Sequence, residues 1–475
     1  MHICGPRCCT TILACAAGVA LALTYTLSPM TVWFSAAMTI VFVYASHGLA
    51  ARERRWVLGL LSLGVGARVL ALIIFLFVTH RTDSSFAVMI PDEGYIFRRA
   101  MWLRNIALDI PMAPADLMDS LNPYADSGVL YLLAHLQLLI GAAPYGIRLL
   151  NVALYLAATV ILYRMVRPTF GAAASLLGLA ILLFMPSAFA WSISVLKEPS
   201  YYFLSAVSLA SIVAAVRRRS PTTRLMAILT CVGAVIAVAT VRKDAAVVVG
   251  AGIGMSLLLA MLVRRPLVMA TSVALCVAAG AYAVSDVKVA VSDAQVQVRR
   301  QTIRFLRDTA VTHIGHVKTP GRAYKLLDPE FYTRQDHPGL SYPVAASSMR
   351  GGDIARYVTR AALSFALVPL PWQVSTGPGV AYLPQQVVWF LLVVFAGVGG
   401  FAGLRRDVLI TLLLVSTVVI AAIGVTLTSG NIGTFVRHRD MTLVPMAWLS
   451  GLGIVSAVRY VAALCWSRLP EPAGA

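Results

Sequence analysis

The chain has 475 residues, 59% of them apolar and only 12% charged, with a formal net charge of +19. Its mean hydropathy is +0.80. A soluble domain carries about a quarter charged residues, so a water-soluble globular protein is excluded. Nucleic-acid binding is excluded as well: the arginines sit in short clusters between apolar runs, and no basic face of a folded soluble domain is visible. The apolar runs are solid, whereas barrel strands alternate apolar and polar residues over about ten positions. The composition therefore predicts an all-α, polytopic helical membrane protein.

Runs long enough to cross a bilayer as helices fall at roughly 9–28, 31–49, 57–79, 144–163, 171–190, 200–216, 223–241, 245–263, 266–285, 385–403, 408–428 and 443–462, which predicts about twelve spans. The first run, flanked by Arg7, lacks a clear small-x-small cleavage site and is read as a retained span. Cys8-Cys9 beside it are read as small apolar residues. None of the seven cysteines falls in a long loop, so no disulfide framework is expected.

Basic clusters follow the second, fourth, sixth, eighth and tenth runs: Arg52, Arg54 and Arg55; Arg164 and Arg167; Arg217, Arg218 and Arg219; Arg264 and Arg265; Arg405 and Arg406. Alternating spans place all five on one side, which the positive-inside pattern makes cytoplasmic. Both termini are then cytoplasmic, in a cell inner (plasma) membrane. By this reading the chain divides into two additional N-terminal spans (1–56), a core (57–285), an external segment (286–384) and C-terminal spans (385–475).

Two long segments are external. The first, 80–143, carries Pro91-Asp92-Glu93-Gly94-Tyr95 and later an apolar stretch, Leu130–Ile140, expected as an interfacial amphipathic helix. The second begins helix-like over Ser292–Asp308. It turns loop-like around Pro320-Gly321 and Pro338-Gly339. It ends in Tyr357–Trp372, expected as an interfacial or partly inserted helix broken by its prolines.

Four polar stretches could carry chemistry. Asp92-Glu93 beside the bilayer suits a general base of raised pKa, or equally a helix N-cap with an acid in the first turn. Lys197-Glu198, in the short turn before Pro199, faces an external cavity, or else opens the next helix. Arg242-Lys243-Asp244 places cations on the side where they are unexpected, for an anionic ligand or as a headgroup anchor. Asn431 to Asp440, with Arg437, His438 and Arg439, could hold a pyrophosphate or anchor to headgroups. His313 and His316 form a His-x-x-His without acidic or cysteine company, which fits a solvated surface better than a metal site. Trp372 fits the aromatic belt.

These residues resemble the GT-C superfamily of membrane glycosyltransferases, whose members include the protein O-mannosyltransferases and the bacterial aminoarabinose transferase of lipid A. The resemblance runs over about 57–265. It rests on Asp92-Glu93 in the first large external loop, on Tyr145-Gly146-Ile147-Arg148-Leu149-Leu150-Asn151 with Ile161-Leu162-Tyr163-Arg164, and on Pro186-Ser187-Ala188-Phe189. Two spans precede the one that normally opens the family's core. Lys197-Glu198-Pro199 replaces the frequent Arg-Pro-Asp. The C-terminal half, with Pro369-Leu370-Pro371-Trp372 and Gly433-Thr434-Phe435-Val436-Arg437, looks similar to polysaccharide-assembly membrane proteins.

The resemblance implies transfer of a sugar from a polyprenyl-phosphate donor to a lipid, glycan or protein acceptor at the external face, with inversion. Asp92 or Glu93 would be the base, with Glu198 as a second acid. Lys197, Arg242, Lys243, Arg437, His438 and Arg439 would hold the leaving phosphate. Tyr95 and Asn431 would touch substrate. No cofactor is implied, and a divalent metal is left open. The competing readings are an O-antigen-type polysaccharide polymerase or ligase, and a lipid-linked sugar transporter or flippase, which should bury ionisable residues at mid-bilayer. Arg68 is such a residue, read here as a polar anchor.

Overall fold

The computed structural model describes residues 15, 18–19, 28–79, 91–122, 127–141, 144–266, 271, 287–319, 322–333, 346–373 and 377–466. Among them the chain is helical throughout, apart from one isolated bridge between Ala323 and Asn431. The helices are α1 (Met30–Ser46), α2 (Ala51–Thr79), α3 (Pro91–Ala107), α4 (Pro114–Ser120), α5 (Gly128–Ile140), α6 (Pro144–Phe170), α7 (Ala172–Phe184), α8 (Pro186–Ser192), α9 (Glu198–Arg217), α10 (Pro221–Val241), α11 (Lys243–Arg264), α12 (Val287–Val317), α13 (Glu330–Thr333), α14 (Gly351–Leu367), α15 (Gly377–Leu404), α16 (Val408–Thr428), α17 (Ile432–Arg439) and α18 (Leu443–Trp466).

Eight of these regions are long and apolar enough to cross a membrane, nine if the bent pair α7–α8 is one span. The protein is a multi-pass membrane protein, but the count of twelve is not reached among the described residues. The expected spans at 9–28 and 266–285 lie almost wholly outside those residues. The one at 31–49 is a helix of 17 residues, about 26 Å at 1.5 Å per residue. The one at 171–190 is broken by 63° at Met185-Pro186, where proline cannot continue the α7 hydrogen-bond ladder.

The chain forms two compact units, 1–247 and 248–475. In the first, α6 is the spine and packs against α1, α2, α7 and α9. Connections are short: Gly171 alone joins α6 to α7, and residues 218–220 join α9 to α10. Helices so connected alternate in direction, so the polar residues fall at two ends. One end gathers Arg52, Arg54, Arg55, Arg164, Arg167 and Arg217–Arg219, the clusters expected on one side. There Glu53 is clamped by Arg167 (Nη2 to Oε2 2.6 Å, Nε to Oε1 2.9 Å) and by the Tyr163 hydroxyl (2.6 Å). Between the ends Arg68 is fully buried. It donates to Ser192 Oγ (2.7 Å) and Gly64 O (3.0 Å), and its guanidinium lies over Tyr155 and Phe189. It thus braces α2 against the broken span, as the polar-anchor reading expected.

Helix α5 departs from the expected amphipathic helix. Val129, Leu130, Leu133, Ala134 and Gln137 face the protein, but the exposed side carries Tyr131, Leu132, Leu138 and Leu139. His135 is the one ionisable side chain on that exposed side, which is otherwise apolar enough to suit lipid better than a water interface.

In the second unit α15 packs closely on α18, and α16 against α12, α14 and α18. The α14 stripe Tyr357, Ala361, Ser364 has the helical period and faces a core of Ile314, Tyr324, Leu326, Phe331, Leu427 and Phe435. It ends before Val368-Pro369, as the prolines predicted. The end of α16 leaves carbonyls that its own helix cannot satisfy. Four successive ones are taken by other segments: Leu427 O by Tyr357 Oη, Thr428 O by His316 Nδ1 (2.8 Å), Ser429 O by His313 Nδ1 (2.6 Å) and Gly430 O by Tyr324 N–H (2.7 Å).

The His-x-x-His is therefore a helix cap, and His313 is fully buried rather than solvated. A carbonyl can only accept, so Nδ1 carries the proton, and Nε2 accepts from Tyr332 Oη (2.9 Å). Burial holds the His313 pKa down to about 4. A neutral His313 stabilises the fold fully above pH 6.5, and this contribution is lost as pH falls from 6.5 to about 4, while the unfolded chain takes up the proton. The depression corresponds to about 3 kcal/mol. Thermal midpoints at pH 7.5 and pH 4 are expected to differ more for the wild type than for His313→Gln. Equal differences would refute the assignment.

Candidate active site

The other end of the first unit holds three of the four predicted stretches' first-unit residues. Helix α3 starts at Pro91, which suits the first helical position, so Asp92 and Glu93 lie in its first turn and not at its cap. The Asp92 side chain lies outside the described residues. Glu93 is 1% exposed. Its Oε1 accepts from Arg148 Nε (3.0 Å) and Nη2 (2.8 Å) and from the Val195 N–H (2.9 Å). Its Oε2 is buried with no hydrogen-bond partner. Burial pushes the Glu93 carboxyl above the usual range, and the Arg148 charge and the Val195 N–H pull it back part of the way.

Val195 belongs to the turn 193–197 between α8 and α9. Asn151, one helical turn beyond Arg148, donates to the carbonyls on either side of it, Ser194 O (2.6 Å) and Leu196 O (2.9 Å). Positions i and i+3 of a helix share a face, so Arg148 and Asn151 grip α3 and the turn together. The turn leads into Lys197, half-buried, and Glu198, buried in the first turn of α9 ahead of Pro199. Acid and proline both fit there, so the helix-opening reading of Glu198 is met. Helices α9 and α10 form an antiparallel hairpin, which returns Arg242 to the same end, half-buried. Lys243 is exposed at the start of α11. The start of α5 docks on this end as well, since a Cβ at Gly128 would lie 2.7 Å from Thr240 Oγ1.

Tyr95 is half-buried, with the Arg99 guanidinium 6.0 Å from its ring centroid. Buried Arg99 donates to Ser120 O (3.3 Å) and Asn122 O, tying α3 to the end of α4. Arg148, Asn151 and Arg99 were not singled out as site residues from the sequence. The signal was there for the first two: a pair of polar side chains three apart in an otherwise apolar run.

The fourth stretch lies in the second unit. Asn431, expected to touch substrate, is buried and caps α17 through Oδ1, which accepts the Gly433 N–H (2.8 Å). Arg439, expected at a phosphate, is fully buried. It donates to Val368 O and Gln386 Oε1 (2.8 Å) and stacks on Trp389 at 4.1 Å. Asn431 Oδ1 and the two terminal nitrogens of Arg439 are thus engaged within the protein. Arg437 and His438 are half-buried on the same helix, each with interactions of its own. Among the described residues no group of three or more His, Cys, Asp or Glu could hold a metal ion.

Residues 127–286 match the profile of the dolichyl-phosphate-mannose-protein mannosyltransferase family. The matched stretch takes in Arg148, Asn151, the 193–197 turn and Arg242, and begins after Asp92-Glu93. The match covers about a third of the chain and agrees there with the resemblance to the GT-C membrane glycosyltransferases. Among solved structures it is similar to ArnT from Cupriavidus metallidurans bound to undecaprenyl phosphate, at 14% identity over 86% of this chain and 81% of that one, with a TM-score of 0.31. No curated protein matches.

Proposed function

We propose that the protein transfers a sugar from a polyprenyl-phosphate donor to an acceptor on the face opposite its arginine clusters, with Asp92 as the general base. The observation that carries this reading is the commitment of Glu93 to Arg148 and Val195. A carboxylate whose Oε1 already takes three donors is a positioning group. It sets the first turn of α3, and we assign the base to the neighbouring acid, Asp92.

In this reaction the acceptor hydroxyl or amine gives its proton to Asp92 and attacks the anomeric carbon. The bond from that carbon to the phosphate oxygen breaks, the lipid phosphate leaves with the electron pair, and the configuration inverts. Lys197, Arg242 and Lys243 supply cations for the developing charge. Such stabilisation is usually the largest single contribution to catalysis. The family description supports a polyprenyl-phosphate donor, since dolichyl phosphate is one. The placement of the arginine clusters at the opposite end supports catalysis at the outer face, with cytoplasmic termini in the plasma membrane.

Purified protein in lipid vesicles, given a radiolabelled polyprenyl-phosphate sugar and a mixed envelope extract as acceptor, is expected to release polyprenyl phosphate and form an inverted glycoside. Transfer that survives Asp92→Asn and Glu93→Gln but is abolished by Arg437→Ala would replace this reading with the polymerase or ligase one. Movement of the lipid-linked sugar across the membrane without a new glycoside would favour the flippase.

A further inference from the structure

The second unit carries a cavity of about 640 Å³ that the transfer chemistry above does not use, between the middle of α12 and the start of α14. Three arginines line it: Arg299 and Arg307 from α12, and Arg350 just ahead of α14. Among the described residues none of the three lies within salt-bridge distance of a carboxylate. Asp308, next to Arg307 in sequence, makes no salt bridge to any of the three, and Asp353, three residues beyond Arg350, is held by Arg356 (2.5 Å) and by the Arg350 N–H (2.8 Å). Arg307 is anchored by one nitrogen, Nη2 to Met349 O (3.0 Å), while its Nε is buried with no partner. Hydroxyls of Thr302, Ser347 and Ser348 share the wall.

Three guanidinium groups with no counter-ion among the described residues repel one another, and an anion relieves that repulsion. The planar fork of arginine matches phosphate and carboxylate oxygens in pairs. The volume lies in the range of pockets that hold a whole small molecule, about 300–1,000 Å³, and exceeds what a bare phosphate fills. Hydroxyls interleaved with the cations suit the hydroxyls of a sugar. We propose that this cavity binds an anionic saccharide, a sugar bearing a phosphate or a carboxylate. Binding itself stands apart from transfer and is measured without a donor.

The test is equilibrium binding to the full-length protein in detergent, with glucose 1-phosphate, glucuronate, glucose and inorganic phosphate as probes. The two anionic sugars are expected to bind at least tenfold tighter than glucose and than phosphate. Arg299→Gln combined with Arg350→Gln, both at exposed positions, is expected to weaken them at least tenfold. Arg300→Gln combined with Arg304→Gln removes the same charge from exposed positions of α12 outside the cavity, and is expected to leave binding within twofold. Equal binding of glucose, equal binding of inorganic phosphate, or equal losses in the two double variants would overturn the proposal. Such a result would leave the transfer reading untouched, because the Asp92→Asn assay is scored separately.

Discussion

Arg148→Met is expected to be among the most damaging single substitutions in the first unit. Glu93 would be left buried, with its carboxylate facing only the Val195 N–H. Breaking a buried pair by removing one partner costs about 3–5 kcal/mol, because the survivor keeps its desolvation penalty without its partner. Glu93→Gln should cost less, since a neutral amide can still accept from Val195. The double variant should regain part of what Arg148→Met loses. A double-mutant cycle on thermal midpoints in detergent reads this coupling. Strictly additive losses would mean that the pair does not hold α3 to the 193–197 turn.

Gly453→Ala is the second. Helices α15 and α18 meet backbone to backbone at Gly399 and Gly453. A Cβ on Gly453 would run into the Phe395 carbonyl, and one on Gly399 into the Leu449 carbonyl. Close approach through small residues is the usual way membrane helices gain contact, and here Ser450 Oγ adds a bond to Leu392 O across the pair (2.8 Å). Overpacking in a core costs about 1–3 kcal/mol when side chains can move aside. Here the obstacles are carbonyls, so Gly453→Ala and Gly399→Ala should each reach at least the top of that range. The readout is the thermal midpoint and the yield of folded protein after extraction. Gly397→Ala, where a Cβ meets nothing within 4 Å, is the control. Equal behaviour of Gly397→Ala and Gly453→Ala would contradict the packing.

The membrane character was legible because hydrophobic runs report transfer into lipid directly. The ends of α9, α10, α16 and α18 fall within a few residues of the expected spans for that reason. The break at Met185-Pro186 was not read, since an apolar run continues through it and only Pro186 marks the bend. The buried carboxylate was not legible either. Nothing local to Glu93 shows that Arg148, 55 positions away, takes its charge. Nor does the sequence show that Asn431 caps α17 or that Arg439 reaches Val368 O and Gln386 Oε1. His313 and His316, three apart on one helix, could not disclose that the free carbonyls of α16 lay opposite.

In the proposed reaction Asp92 takes the proton and Glu93 positions the first turn of α3. The direct measurement is sugar transfer by purified Asp92→Asn and Glu93→Gln beside their thermal midpoints. Asp92→Asn is expected to keep the wild-type midpoint and lose transfer by at least about 100-fold, the lower bound for a general base. Glu93→Gln is expected to lower the midpoint while retaining measurable transfer. Wild-type turnover in Asp92→Asn, with transfer abolished in a thermally unaltered Glu93→Gln, would contradict the account.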